Sequence, residues 1–349
     1  GSYNTALGKD TLLYLTTGQR NVAVGYNAMD EATTGSDSVA VGHAAGHSIT
    51  TGIENTFVGY YAGGETTTVN YNVAVGSSAL QSNTTGANNV AMGRAALYAN
   101  TTASNNVGIG YHSLYANTTG TDNVAVGTNT LSLNTTTNRN TAIGDNALAA
   151  NIASDNTSVG ASALTANTSG VENVAIGSRA LDTNTTGNSD VAIGMKAMDA
   201  NTTGSDNVGI GAYSLDANTT GSDNVAIGKH SLGANTTASN NTALGNEALK
   251  VNTTGTYNVA VGATSLDANT TGSDNVAVGW DALGANTTGA NNTALGGDAL
   301  DLNTTGDNNT AVGRNALGAA TTADSNTAVG KDALLVNTTG SSNVAVGVG

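Results

Sequence analysis

Apolar residues return along this chain at a step of 17 positions, each time closing on a glycine, and 21 such glycines run from Gly8, Gly25 and Gly42 to Gly330 and Gly347. In Asn123-Val124-Ala125-Val126-Gly127 the residue before the glycine is bulky, as it is at Leu7, Met92, Ile143 and Val346. Two before it the side chain is small, with Phe57 as the large exception, and three before it the choice is Val or Thr. Such alternation predicts a short strand, with the bulky residue and the Val or Thr on one face and the alanine on the other. The bulky face is assigned to the core. After each glycine comes a second apolar signal: in Ser265-Leu266-Asp267-Ala268 a leucine stands four residues on and an alanine six on. It reads as a second strand, whose Leu266 and Ala268 meet Val261 across a thin two-layer core. Asn-Thr-Thr-Gly, as at Asn201-Thr202-Thr203-Gly204, then supplies a turn: Gly for positive φ, Asn for the left-handed region and for side-chain bonds to the backbone.

Strand, turn, strand and turn use up the repeat. Helix is excluded, because every repeat carries glycines or short polar turn residues and lacks an i, i+3, i+4, i+7 apolar face. Self-similarity at so short a period predicts an all-β fold, a parallel β-solenoid of about 21 coils with two short strands per coil, forming one elongated domain over residues 1–349. Coils stacked about 4.8 Å apart would make a rod of roughly 100 Å. The one break in phase, a 16-residue step from Gly144 to Gly160, falls at Asn151–Asn156, in a turn where a deletion is tolerated. Asparagine stands four before the glycine in 19 of 21 repeats, the exceptions being Ser38 and Asp190. Asn21, Asn123, Asn173, Asn224 and Asn275 are therefore expected in a ladder, each amide donating to one neighbour and accepting from the other. Both ends fall inside the repeat, as expected of a piece of something longer.

Composition alone resembles a disordered tract, but the strict phase of the aliphatic positions argues for order. A net charge of -15 arises from 25 acidic and 10 basic residues, the latter scattered from Lys9 to Lys331, so nucleic acid is not an expected partner. Absence of cysteine leaves the redox compartment open. No apolar run reaches the roughly 18 residues of a membrane-spanning helix, and no signal-peptide pattern is present. The alanine column two before the glycine and the Ala/Ser/Thr column three after it are read as small faces opposite the core, open to lateral packing. A thin core makes extra burial between chains attractive.

Aromatic, histidine and charged side chains gather at variable positions one, two and five residues after the glycine. Tyr26, His43 and Tyr60 share one column, Tyr61 stands beside it and Tyr111-His112 further along, a candidate receptor-binding patch for a glycan or protein. Trp280 stands alone. Repeats three and four are irregular: Gly46 and Gly63 replace the leucine, and Phe57 is expected to fill the volume Gly63 gives up. Asp182, Asp199 and Asp216 share one column and Asp206 and Asp223 another, where a Ca²⁺ ion would relieve repulsion. The Gly-Gly-x-Gly-x-Asp nonapeptide is lacking, so these are read as solvated charge with no metal site. Thirteen Asn-Thr-Thr triplets, among them Asn83, Asn117, Asn252 and Asn337, match the glycosylation sequon, but turn chemistry explains them. Four histidines without cysteine or a recessed carboxylate pair leave no catalytic residues and no cofactor to assign; Gly228-Lys229-His230-Ser231 is not a phosphate loop.

The unit Asn-Val-Ala-Ile-Gly, at Asn173–Gly177 and Asn224–Gly228, resembles the head repeats of trimeric autotransporter adhesins, and similar units occur in phage tail fibres. The resemblance covers essentially the whole chain, with a longer repeat carrying the added Asn-Thr-Thr-Gly turn. It implies a left-handed parallel β-roll, a homotrimer, and an extracellular setting on a bacterial surface or a virion fibre. The expected function is a structural, non-enzymatic shaft or head that displays attachment surfaces, with no membrane insertion by this segment. The alternative is a module that binds an ordered surface such as ice. Adjacent threonines such as Thr219 and Thr220 would point opposite ways on a strand, and Thr stands three before the glycine in only 8 of 21 repeats.

Overall fold

The computed structural model describes residues 1–349, which form two compact units, Gly1–Glu172 and Asn173–Gly349. The first unit holds ten three-residue strands, from β1 (Thr5–Leu7) to β10 (Thr157–Val159); the second holds eleven, from β11 (Val174–Ile176) to β21 (Val344–Val346). Within each unit every strand pairs in parallel with the next one along the chain, and register follows the repeat: Val208, Gly209 and Ile210 lie opposite Val225, Ala226 and Ile227. The 16-residue step keeps register, with Thr157, Ser158 and Val159 opposite Thr141, Ala142 and Ile143. The chain is an all-parallel β-solenoid of 21 coils with a 17-residue repeat and no helix.

Each coil has one strand, where the sequence suggested two. The segment after the repeat glycine is bonded from coil to coil, Leu215 N donating to Ser231 O at 3.0 Å and His230 N to Ala212 O at 3.1 Å. It is not extended, because its second and fourth residues are left-handed: φ is 59° at Tyr213, 49° at Leu215, 57° at His230 and 49° at Leu232. That alternation lets two consecutive side chains, Ser231 and Leu232, both turn inward and be fully buried, which a strand cannot do. A left-handed leucine costs roughly 1–2 kcal/mol, and burying its side chain offsets this by about 2 kcal/mol.

The strand faces are the reverse of the sequence expectation. Ala226 is fully buried, whereas Val225 and Ile227 on either side of it point outward and are half-exposed. Likewise Ala147 and Ser231, in the small column three after the glycine, lie in the core, and Ala268, Leu133 and Leu302, six after it, do not. The coil is one leucine thick, so opposite that leucine only a methyl group fits. At Gly209 even a Cβ would lie 2.9 Å from Met198 Cγ, and at Gly108 3.2 Å from Leu97 Cγ. Where the leucine is missing the rule inverts. Phe57, in β4 (Thr56–Val58), is fully buried, and a Cβ at Gly63 or Gly46 would meet its ring at 2.5 or 2.8 Å.

Polar groups inside are satisfied by two columns of asparagine. In the column four before the glycine, Asn224 donates Nδ2 to Ala238 O at 2.9 Å and to Asn207 Oδ1 at 3.1 Å, while its Oδ1 accepts from Asn241 N at 3.0 Å. Asn21 and Asn123 donate to Gly35 O and Thr137 O at 2.8 Å, Asn173 to Gly187 O at 2.9 Å, and Asn275 to Gly289 O at 2.8 Å. Their strongest bonds thus run to backbone of the next coil rather than from amide to amide. The second column, first residue of Asn-Thr-Thr-Gly, was read as turn and is a buried ladder: Asn218 Nδ2 reaches Asn201 Oδ1 at 2.9 Å and Gly221 O at 2.9 Å. Asn83, Asn117 and Asn252 are fully buried and Asn337 is half-buried, so the sequon asparagines serve as rungs. The glycine closing this turn does not have positive φ; it is there for close approach, since a Cβ at Gly289 would sit 2.5 Å from Gly306 O.

This ladder begins at Asn83, the first four coils carrying Leu15, Ala32, Ile49 and Thr66 instead, and in the second unit one rung is missing: Ala320 stands where the other coils of that unit have Asn, and the buried Oδ1 of Asn303 has no partner. Ala320→Asn is expected to bridge Asn303 and Asn337 and to stabilise the second unit by about 1 kcal/mol, raising the denaturation midpoint. An unchanged or lowered midpoint would contradict this account of the ladder.

Candidate functional site

Turning the alanines inward turns the aliphatic residues out. In each unit the residues three and one before the repeat glycine form two adjacent outward columns, Val191, Val208, Val225 and Val259 beside Ile193, Ile210, Ile227 and Val261 in the second. No charged side chain interrupts either column; threonine is the only polar variant. Individual members such as Val41, Met92 and Leu244 are 37–44 % exposed. An aliphatic strip this long exceeds the patch of roughly 300–600 Å² that monomers ordinarily leave in water. Sequence reading had assigned these residues to the interior and looked for the lateral surface on the alanines.

The ring-bearing residues form two clusters in the first unit. Tyr26 and His43 lie 5.2 Å apart, His43 and Tyr60 5.2 Å, and Tyr60 and Tyr61 4.8 Å, with the Lys9 ammonium 5.7 Å from the Tyr26 ring. Separately, Tyr111 stacks on His112 at 3.8 Å, His112 meets Tyr115 at 4.5 Å, Tyr115 stacks on Tyr98 at 5.3 Å, and Arg94 lies 5.7 Å from the Tyr111 ring. Burial, and secondarily Arg94, push the His112 imidazole below its usual range, favouring the neutral ring. Tyr98 and Tyr115, five after the glycine, were not grouped with this patch because a regular strand would keep columns two and five apart; left-handed residues such as Leu97 and Leu114 bring them together. Tyr213 and His230 repeat the stack at 5.1 Å in the second unit. Trp280 is exposed and joins no cluster.

Asp182 and Asp199 of the acidic column are paired. Arg179 reaches Asp182 at 3.1 Å and Asp199 at 3.3 Å, and Lys196 stands 4.0 Å from Asp199. Burial nonetheless raises the carboxyls of Asp199 and Asp216 above the usual range. Asp206 and Asp223 are exposed, at left-handed corners with φ of 59° and 58°. No three His, Asp or Glu side chains converge as metal ligands would. The nearest approach to a catalytic constellation is Asp30–His47–Ser48. His47 Nδ1 lies 3.2 Å from Ser48 Oγ, but its Nε2 is 3.5 Å from Asp30 Oδ1, which makes no hydrogen bond, so the trio is not a hydrogen-bonded relay.

Of the two threonine columns, the first spends its hydroxyls on backbone: Thr202, Thr219 and Thr253 donate Oγ1 to the carbonyls of Thr219, Thr236 and Thr270 at 2.9–3.0 Å. Only the second, with Thr203, Thr220 and Thr254, stands exposed. This second column presents one exposed threonine in each Asn-Thr-Thr coil. No helix is long and apolar enough to cross a membrane. Neither family models nor curated proteins give a match to the chain.

Proposed function

We propose that this chain is a structural, non-catalytic segment of an extracellular fibre, on a bacterial surface or a virion, in which three copies pack through their aliphatic sheet faces. The single observation behind the reading is the uncharged double column, Val or Thr beside Val, Ile, Leu or Met, pointing outward from every coil. A face with that composition is stabilised by covering it, at about 25 cal/mol per Å² removed from water, and an identical face on a second copy matches it in repeat and register. The resemblance to adhesin head repeats selects three copies rather than two. The ring clusters at Tyr26, His43, Tyr60 and Tyr61 and at Tyr111 and His112 stand on other columns, free to contact a glycan or protein receptor.

Light scattering on the full chain tests this directly. The expected mass is three times the 34.2 kDa of one chain, and Ile210→Glu with Ile227→Glu should reduce it to one while leaving the β-type circular dichroism intact. A wild-type chain that stays single at micromolar concentration would refute the packing, and a twofold mass would refute the threefold part.

A further inference from the structure

Asp190 occupies a rung that asparagine holds in 19 of 21 coils, and it is fully buried. The two side chains differ by one group, an oxygen in place of the amide NH₂. In neighbouring rungs that NH₂ donates to the carbonyl 14 residues on: Asn207 to Gly221 O at 2.9 Å, Asn224 to Ala238 O at 2.9 Å. For Asp190 the equivalent carbonyl is Gly204 O, and a carboxylate oxygen has nothing to give it. What the structure has there instead is crowding of acceptors. Asn201 Nδ2, with two hydrogens, lies within bonding distance of three of them: Gly204 O at 2.9 Å, Asp190 Oδ2 at 3.1 Å and Asn184 Oδ1 at 3.2 Å. Asp190 Oδ1 is well served, accepting from Asn207 N at 2.9 Å and Asn207 Nδ2 at 3.1 Å. A proton on Oδ2 would supply the missing donor and complete the asparagine pattern.

We propose that Asp190 is a protonation-sensitive rung: neutral, it holds its neighbouring coils as asparagine would, and ionised, it loosens the segment from Asn184 to Asn207. No cation faces it. The charged group that bears on it is Asp206, one coil on, which disfavours ionisation further. Arg179, Asp182, Lys196 and Asp199 lie in columns that pair among themselves. Burial, opposed by the hydrogen bonds from Asn207 and Asn201, pushes the carboxyl up to about 7. A carboxyl raised on folding contributes stability that is complete below the ordinary aspartate range and is lost as pH rises through the folded value. The device is therefore tight in mild acid and loose in mild alkali, the opposite of a paired carboxylate.

Amide hydrogen exchange on the full chain, corrected for intrinsic rates, tests it between pH 5 and 9. Protection over residues 184–207 is expected to fall roughly 100-fold in the wild type relative to Asp190→Asn, with residues 258–292 alike in both. Parallel pH profiles in the two proteins would overturn the proposal. If the variant does not fold, carboxyl carbon NMR on the wild type decides: an Asp190 midpoint above pH 5.5 supports the rung, and one below it overturns it.

Discussion

Gly296→Ala is expected to destabilise the second unit by about 3–5 kcal/mol, while Gly297→Ala, one residue away, should change stability by less than about 0.5 kcal/mol. Gly296 has a φ of 139°, a region essentially closed to side chains. An added Cβ would lie 2.7 Å from the carbonyl carbon of Gly313, 2.8 Å from its oxygen and 3.0 Å from Arg314 N. Those atoms are backbone of the next coil, fixed by Gly296 N donating to Val278 O and Gly313 N to Leu295 O, both at 2.8 Å, so relief requires breaking the ladder. A Cβ at Gly297 meets only Trp280 O, at 3.7 Å. Chemical denaturation of the two variants side by side measures the difference. Equal midpoints would mean that the repeat glycine is not what lets the coils stack so closely.

The second large effect is expected at Asn258, where replacement by leucine, which branches alike but is larger, should cost about 3–5 kcal/mol. Asn258 Nδ2 donates to Gly272 O at 2.8 Å and Asn241 Oδ1 at 3.2 Å, and its Oδ1 accepts from Asn275 N at 3.1 Å and Asn275 Nδ2 at 3.2 Å. Leucine would leave the Asn275 N–H without a partner in a fully buried strip, an orphan that costs about 1–3 kcal/mol, and would take from the Gly272 carbonyl one of its two donors, leaving Asn269 Nδ2 at 3.0 Å; forcing the larger side chain into the rung adds about 1–3 kcal/mol. Because coils are stabilised by their neighbours, the loss should spread: exchange of the Val276 and Val259 amides, bonded to Asn292 O and Asn275 O at 2.8 Å, ought to quicken with it. A variant as stable as the wild type would show that the ladder is incidental to folding.

Some misreadings trace to one omission. The leucine four after the glycine was recognised as core, but its left-handed backbone was not, since leucine carries no local preference for it. A cue was present in the residue eight further on, where Asp37, Asn88, Asp122, Asp206 and Asn291 recur: Asn and Asp are the side chains that tolerate positive φ, and all five have it. Had left-handed residues been allowed after each glycine, the pairing of columns two and five that builds the ring clusters would also have followed. The second asparagine ladder was hidden by its context, for Asn-Thr-Thr-Gly is as good a turn as it is a buried rung.

Period, strand phase and parallel stacking were determined by the sequence alone, because a 17-residue repeat held in register has few ways to satisfy its backbone except by pairing with copies of itself. Which side of the strand is inside was decided only by the tertiary structure. Alternation distinguishes two faces but not inner from outer; that depends on the width of the coil, which is set by one leucine and the handedness of the residues beside it. With room for no more than a methyl group opposite, the alanines go in, and the valines and isoleucines are left outside.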